Sequence, residues 1–214
     1  GPGTHIHPHA VIGDLPQDRA YEGEESFCRI GAGCTIREGV TIHRGTLPGS
    51  STIVGDRCLL MTNSHVGHNC TLGDDVTLVS GVLLGGHVDV GNRAVISGNA
   101  AVHQFVRSGE LAMVSALAKI VQDVPPFFMT DREGAVVAVN RVGLTRAEIS
   151  SAERDEIKAA HRLLFRLGMP REEAAEYLQA LATPAGLRLR DFLMAPSKRG
   201  VNRREPLRRR PAAA

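Results

Sequence analysis

Every sixth residue from Val54 is aliphatic: Val54, Leu60, Val66, Leu72, Leu78, Leu84, Val90, Ile96 and Val102. The same phase holds Ile30, Ile36 and Ile42 upstream, breaks at Pro48, and returns at Val114 and Ile120. Neither the period of an α-helix nor the alternation of a plain strand produces this register. It is the hexapeptide pattern of a β-helix, in which each aliphatic side chain points inward from a short strand. Three hexads make one triangular coil of about 18 residues, so residues that far apart sit above one another. The residue after the aliphatic is often Gly (Gly31, Gly55, Gly67, Gly73, Gly85, Gly91, Gly109), which predicts unusual backbone angles there.

The position four residues after each aliphatic is small or β-branched, from Cys34 and Val40 through Ala94 and Ala100. All four cysteines, Cys28, Cys34, Cys58 and Cys70, fall in this slot, with neither zinc-site nor redox-motif spacing. They read as small buried hydrophobes. With 4% aromatic residues, no Trp and 23 glycines, the interior must be built from Val, Ile, Leu and Ala, as repeated short strands require. No apolar run approaches a transmembrane segment and no signal peptide opens the chain, so a cytoplasmic protein is expected. The opening Gly1-Pro2-Gly3 reads as a processing remnant. A net charge of +2 gives no global reason to bind nucleic acid. The local excess in Lys198, Arg199, Arg203, Arg204, Arg208, Arg209 and Arg210 reads as a solvated tail.

The repeats stop near Gln122-Asp123-Val124-Pro125-Pro126. Thr145 and Glu148 have capping-box spacing for a first helix ending at Gly168. Pro170 opens a second helix to about Ala182, and a third is expected around Leu187–Met194. The expected plan is a β-helix over 4–126, a small C-terminal α-helical domain over 127–204, and a disordered basic tail over 205–214. Two polar stretches, 13–27 and 44–53, lie out of phase and should loop out; on a regular solenoid such excursions mark the functional side.

His43, His65, His68, His87 and His103 lie in the repeats, none in the inward slot. His68 and His87 are separated by about one coil and can meet on stacked coils. Two chemistries compete for them: acyl transfer, with a neutral imidazole taking a proton from an attacking hydroxyl, and a zinc site. His65 and His68 are too close in sequence for the zinc pattern of hexapeptide carbonic anhydrases, which disfavours the second.

The segments PQDRAYEGE (16–24), VTIHRGT (40–46), LLMTNSHVGHNC (59–70), LLGGHVDV (83–90), AVHQF (101–105) and AKIVQDVPPF (118–127) resemble the UDP-N-acetylglucosamine O-acyltransferases of lipid A biosynthesis, from about Ile12 to Arg204. The resemblance implies a left-handed parallel β-helix. It implies transfer of a 3-hydroxyacyl chain from acyl carrier protein to the 3-hydroxyl of UDP-N-acetylglucosamine, in a homotrimer without cofactor or metal. It makes His68 the general base and the Gly86 N–H the oxyanion donor. Asp18, His65 and His87 match sugar and phosphate contacts; Gln17 lies in the same loop, and His103 counts with the substrate-binding set. Gln104, Asn140 and Arg146 resemble nucleotide contacts from a neighbouring subunit, and Met113 falls where the family lines its acyl groove.

The chain departs from the family at several points. Asn69 replaces an Asp that often follows the catalytic His, and Ala147 stands where a second Arg follows Arg146. Val142 replaces an acidic residue, Ala116 replaces a Gly near the acceptor, and 128–138 aligns poorly. These departures keep open a second reading, the same fold and mechanism acting on a different sugar nucleotide or acyl donor. A non-catalytic structural trimer is a third.

Overall fold

The computed structural model describes residues 1–202; Arg203, Arg204 and the basic tail expected over 205–214 lie outside it. The hexad phase becomes a parallel β-helix with three sheets. One sheet stacks Leu59–Leu60, Thr77–Leu78, Val95–Ile96 and Met113–Val114, each in register 18 residues from the last. A second stacks Val11–Asp14, Thr41–His43, His65–Val66, Leu83–Leu84, Ala101–Val102 and Lys119–Ile120. The third runs from Phe27–Ile30 to Arg107–Ser108. Hydrophobic burial drives this stacking: the phased aliphatics from Ile36 to Ile120 are at most 3% exposed. The slot four residues on is equally buried, at 1% exposure or less from Cys34 to Ala118. Burial pushes the thiols of Cys58 and Cys70 up to about 12, as fits inert packing residues.

The glycines after the aliphatics do not have the backbone angles expected of them. None of Gly31, Gly55, Gly67, Gly73, Gly85, Gly91 and Gly109 has positive φ. They are required by close coil stacking instead: a Cβ on Gly55 would lie 2.6 Å from the backbone of Gly73, one coil on. The left-handed residue comes two positions later in each hexad, as at Gly33, Arg57, Asn63, Asn69, Asp75, His87, Arg93 and Phe105. Several of these are bulky, at a steric cost of about 1–2 kcal/mol each. The repeating hydrogen bonds between coils hold them there.

Two excursions interrupt the second sheet at the same corner of the triangle, after Val11–Asp14 and after Thr41–His43. They lengthen the register from 18 residues to 30 between Val11 and Thr41 and to 24 between Thr41 and His65. Both are shorter than expected. Asp14 and Phe27 belong to strands, as do 51–53, so the loops proper are 15–26 and 44–50. Pairing with the next coil recruits any backbone that can reach it.

The sheet structure also runs past the expected boundary at 126–127. Phe128–Thr130 pairs in parallel with Met113 and then antiparallel with Val136–Val139, so residues 128–139 extend the first sheet. Helix α1 follows at Arg141–Arg146, with α2 at Ser151–His161 continuing into a π-helical stretch at Arg162–Arg166. Helices α3 (Arg171–Leu181) and α4 (Pro184–Met194) complete the fold. The capping box is Ser150 with Glu153, not Thr145 with Glu148. Glu148 has φ 58°, which breaks the chain between α1 and α2 and disqualifies it as a first-turn residue. Leu144, Ile157, Leu178, Leu189 and Leu193 join the core of the β-helix. Arg107 ties the parts together, pairing with buried Asp123 at 2.7 Å and lying over the Phe192 ring.

Candidate active site

The corner from which both excursions leave carries the histidines. Two residues after the inward aliphatics Val66, Leu84 and Val102 come His68, Gly86 and Gln104; the next positions, Asn69, His87 and Phe105, are left-handed. Hydrogen bonds from His87 N–H to the His68 carbonyl (2.9 Å) and from Phe105 N–H to the Gly86 carbonyl (3.1 Å) lock these coils in column. Gly86 therefore lies directly above the His68 ring, and a Cβ there would be 2.3 Å from Nε2. The close approach of imidazole and backbone requires glycine at this position.

At another corner the equivalent backbone N–H groups are capped. Ala32 N–H donates to Asp56 Oδ1, Asp56 N–H to Asp74 Oδ1, and Asp74 N–H to Asn92 Oδ1, at 2.7–2.9 Å. The His68 corner has no such ladder, and Gly86 N–H makes no hydrogen bond among the described residues. A free backbone donor beside an imidazole is suited to receive developing negative charge.

The first loop folds up against this corner. His43 Nδ1 hydrogen-bonds to the Leu15 carbonyl, and Arg44 donates to the Tyr21 hydroxyl at 2.7 Å. This places Asp18 Oδ2 3.7 Å from His68 Nε2. The Asp18 carboxyl is held below its usual range, first by the Ala20 N–H it accepts and also by the Thr46 hydroxyl and the His68 and His87 rings. On its other side His68 Nδ1 lies 3.0 Å from Asn69 Oδ1 and 2.8 Å from Thr46 Oγ1.

The remaining rings extend the array. His87 meets His68 edge-on at 5.2 Å and stacks on Phe105 at 4.6 Å. Lys198 Nζ sits 4.0 Å from the centroid of that Phe105 ring. His65 bonds Thr41 Oγ1 at 2.7 Å and contacts buried His43 at 5.3 Å. Burial, reinforced by neighbouring positive charge, lowers the titration of both His65 and His87.

An open cleft of about 320 Å³ lies here, lined by Gln17, His43, His65, His68, Gly86, His103, Gln104 and their neighbours. Among the sequence-predicted residues, Gln17, Asp18, His65, His68, Gly86, His87, His103 and Gln104 gather at this corner. Three do not. Met113 is on the first sheet, half-buried between Val95 and Met129. Asn140 is committed as the cap of α1, accepting from Gly143 N–H and donating to the Leu111 carbonyl, both at 2.9 Å. Arg146 is exposed at the end of α1. Sequence reasoning missed Thr46, although it ends the quoted VTIHRGT segment, and it missed the Lys198–Phe105 contact. Among the described residues no group of three or more His, Cys, Asp or Glu is arranged to hold a metal ion.

Comparisons with known proteins point to one family. Residues 123–202 match the family model described as UDP N-acetylglucosamine O-acyltransferase, domain 2, and 51–86 match bacterial transferase hexapeptide repeats. An acyl-[acyl-carrier-protein]–UDP-N-acetylglucosamine O-acyltransferase of Anaeromyxobacter sp. is 43% identical over 84% of this chain and 71% of its own length. The Rhizobium johnstonii protein of that name is 40% identical over 94% of this chain and 76% of its own. Among solved structures, the UDP-N-acetylglucosamine acyltransferase of Francisella novicida superposes with TM-score 0.89 at 33% identity, covering 94% of this chain and 75% of that one. The Bacteroides fragilis enzyme gives 0.88 at 35%, covering 93% and 79%. The shared architecture is the left-handed parallel β-helix with a small helical C-terminal region.

Proposed function

The chain belongs to the acyl-[acyl-carrier-protein]–UDP-N-acetylglucosamine O-acyltransferase family, and from that premise we propose how its histidine corner carries out the reaction. The protein is an acyltransferase of the first step of lipid A synthesis. We assign a 3-hydroxyacyl thioester on acyl carrier protein as donor and the 3-hydroxyl of UDP-N-acetylglucosamine as acceptor.

One observation carries the mechanism: the His68 imidazole lies against Gly86, whose backbone N–H has no partner among the described residues. His68 Nε2 takes the proton of the sugar hydroxyl as its oxygen attacks the thioester carbon. The carbonyl oxygen becomes the oxyanion of the tetrahedral intermediate and accepts a hydrogen bond from Gly86 N–H. Collapse breaks the carbon–sulfur bond, and the imidazolium returns its proton to the departing thiolate. Asp18, 3.7 Å from Nε2, stabilises the imidazolium between the two proton transfers. Gln17, His65, His87, His103 and Gln104 supply polar contacts for the sugar nucleotide. Burial keeps His65 and His87 neutral near pH 7, as donors or acceptors rather than fixed charges.

The working unit in this reading is a homotrimer in which each cleft is completed by a neighbour. Two features support it. Arg146, which the resemblance assigns to a neighbouring cleft, is exposed and lies away from the histidine corner of its own chain, and Leu83 and Leu117 are 52% and 57% exposed on the outside of the β-helix. Among the described residues no helix is long and apolar enough to cross a membrane. Placement in the cytoplasm rests on the family reading alone.

The test is acyl transfer from a panel of 3-hydroxyacyl carrier proteins to UDP-N-acetylglucosamine, with the product analysed for the site of esterification. An ester on the 3-hydroxyl is expected. Turnover only with another sugar nucleotide would reassign the acceptor.

A further inference from the structure

We propose that Thr46 is a positioning residue of this cleft: its hydroxyl, together with Asn69 Oδ1, holds His68 as the Nδ1–H tautomer with Nε2 free as the base. The inference rests on the acyl-transfer reading for its kinetic consequence, and on the hydrogen-bond network alone for the tautomer.

Thr46 is 3% exposed and sits in the 44–50 excursion, one coil below His68. Its backbone N–H donates to Asn69 Oδ1 at 3.0 Å. A backbone N–H only donates, so the Asn69 amide must present its oxygen on this side. Asn69 is itself pinned, its own N–H donating to Thr52 Oγ1 at 2.8 Å. The oriented amide oxygen lies 3.0 Å from His68 Nδ1 and has no proton to give. An unprotonated Nδ1 would set two lone pairs against each other. Nδ1 therefore carries the proton, and the unprotonated nitrogen is Nε2.

Thr46 Oγ1, 2.8 Å from the same Nδ1, is then the second acceptor of that proton. Both contacts on Nδ1 therefore come from acceptors, the Thr46 hydroxyl from the excursion and the Asn69 amide oxygen from the following residue. The other titratable groups around the ring are His65, His87 and, through His87, Lys198; none contacts Nδ1.

The experiment compares wild type, Thr46→Val and Thr46→Ser by acyl-transfer kinetics and by 15N NMR of the His68 ring. In Thr46→Val, kcat falls roughly tenfold while KM for both substrates stays within about twofold. Loss of an acceptor disfavours the imidazolium, so the acid limb of the kcat/KM profile moves to lower pH. Thr46→Ser recovers most of the rate. The wild-type spectrum shows protonated Nδ1, and in Thr46→Val, where Asn69 Oδ1 is the acceptor that remains, the Nε2–H population rises. Wild-type His68 found as Nε2–H overturns the proposal, as does a folded Thr46→Val enzyme with unchanged kcat and pH profile. Absence of turnover in the wild type would overturn the acyl-transfer reading instead, and the NMR comparison would still decide on Thr46.

Discussion

Gly86 links backbone geometry to chemistry at a single residue. Its Cβ would fall 2.3 Å from His68 Nε2, a side-chain contact that yields by displacing the ring. Gly86→Ala should therefore cost at least about 100-fold in kcat, by shifting the base and crowding the oxyanion donor, with little change in thermal midpoint. A Gly86→Ala enzyme with normal kcat would remove both roles. The histidines also set a pH dependence of stability. Burial holds His65, His87 and His161 below the usual 6.5 in the folded protein, whereas unfolding restores ordinary titration. The unfolded chain then binds more protons as pH drops below 6.5. Their contribution is intact above that value and is lost as pH falls towards the lower folded titrations, so the thermal midpoint should drop between about pH 7.5 and about pH 5.5. A flat midpoint over that interval would contradict the burial. His68 and His87 were legible in the sequence because they fall on one corner of adjacent coils and 18-residue arithmetic reaches them. Thr46 was not, because the excursion breaks that arithmetic where its hydroxyl meets His68 Nδ1.

For the elements, the hexad dictates strand, corner and core, and one steric detail at the corner dictates glycine. The residue after the inward aliphatic approaches the next coil closely, and Gly55→Ala forces its Cβ to 2.6 Å from the Gly73 carbonyl carbon. Backbone cannot rotate away as a side chain can, so we expect a loss of about 1–3 kcal/mol, read from denaturant midpoints. Wild-type stability in Gly55→Ala would show that the coils have slack. The sequence reading put the positive φ at the wrong corner position because it weighed the frequency of glycine rather than what a Cβ would strike. It likewise took Thr145 with Glu148 as the capping box, where the structure has Ser150 with Glu153. The left-handed backbone at Glu148 rules the first pair out, and nothing in the spacing marks it. The hairpin at 128–139 escaped because Pro125-Pro126 ends the hexads without ending the sheet.

For the whole molecule, the account requires that a single chain be incomplete. Arg146 lies on α1, away from the corner that holds His68. In a trimer with shared clefts, His68→Ala chains and Arg146→Ala chains, each inactive or weak alone, should regain activity when unfolded together and refolded as mixed trimers. Clefts built from one chain would give no recovery. The overall architecture was largely legible from periodicity, since each coil repeats the last. The homotrimer was legible only through the family resemblance, because no periodic signal would mark an outer face for another copy. Exposed Leu83 and Leu117 become informative only once the fold has placed them outside.

The central claim is that His68 is the base, and one comparison tests it most directly. Wild type and His68→Ala are assayed side by side for acyl transfer from 3-hydroxyacyl carrier protein to UDP-N-acetylglucosamine, with substrate binding and assembly measured on the same preparations. The account predicts a loss of about 100- to 10,000-fold in kcat, with binding and assembly unchanged. A folded His68→Ala enzyme turning over near the wild-type rate would contradict it.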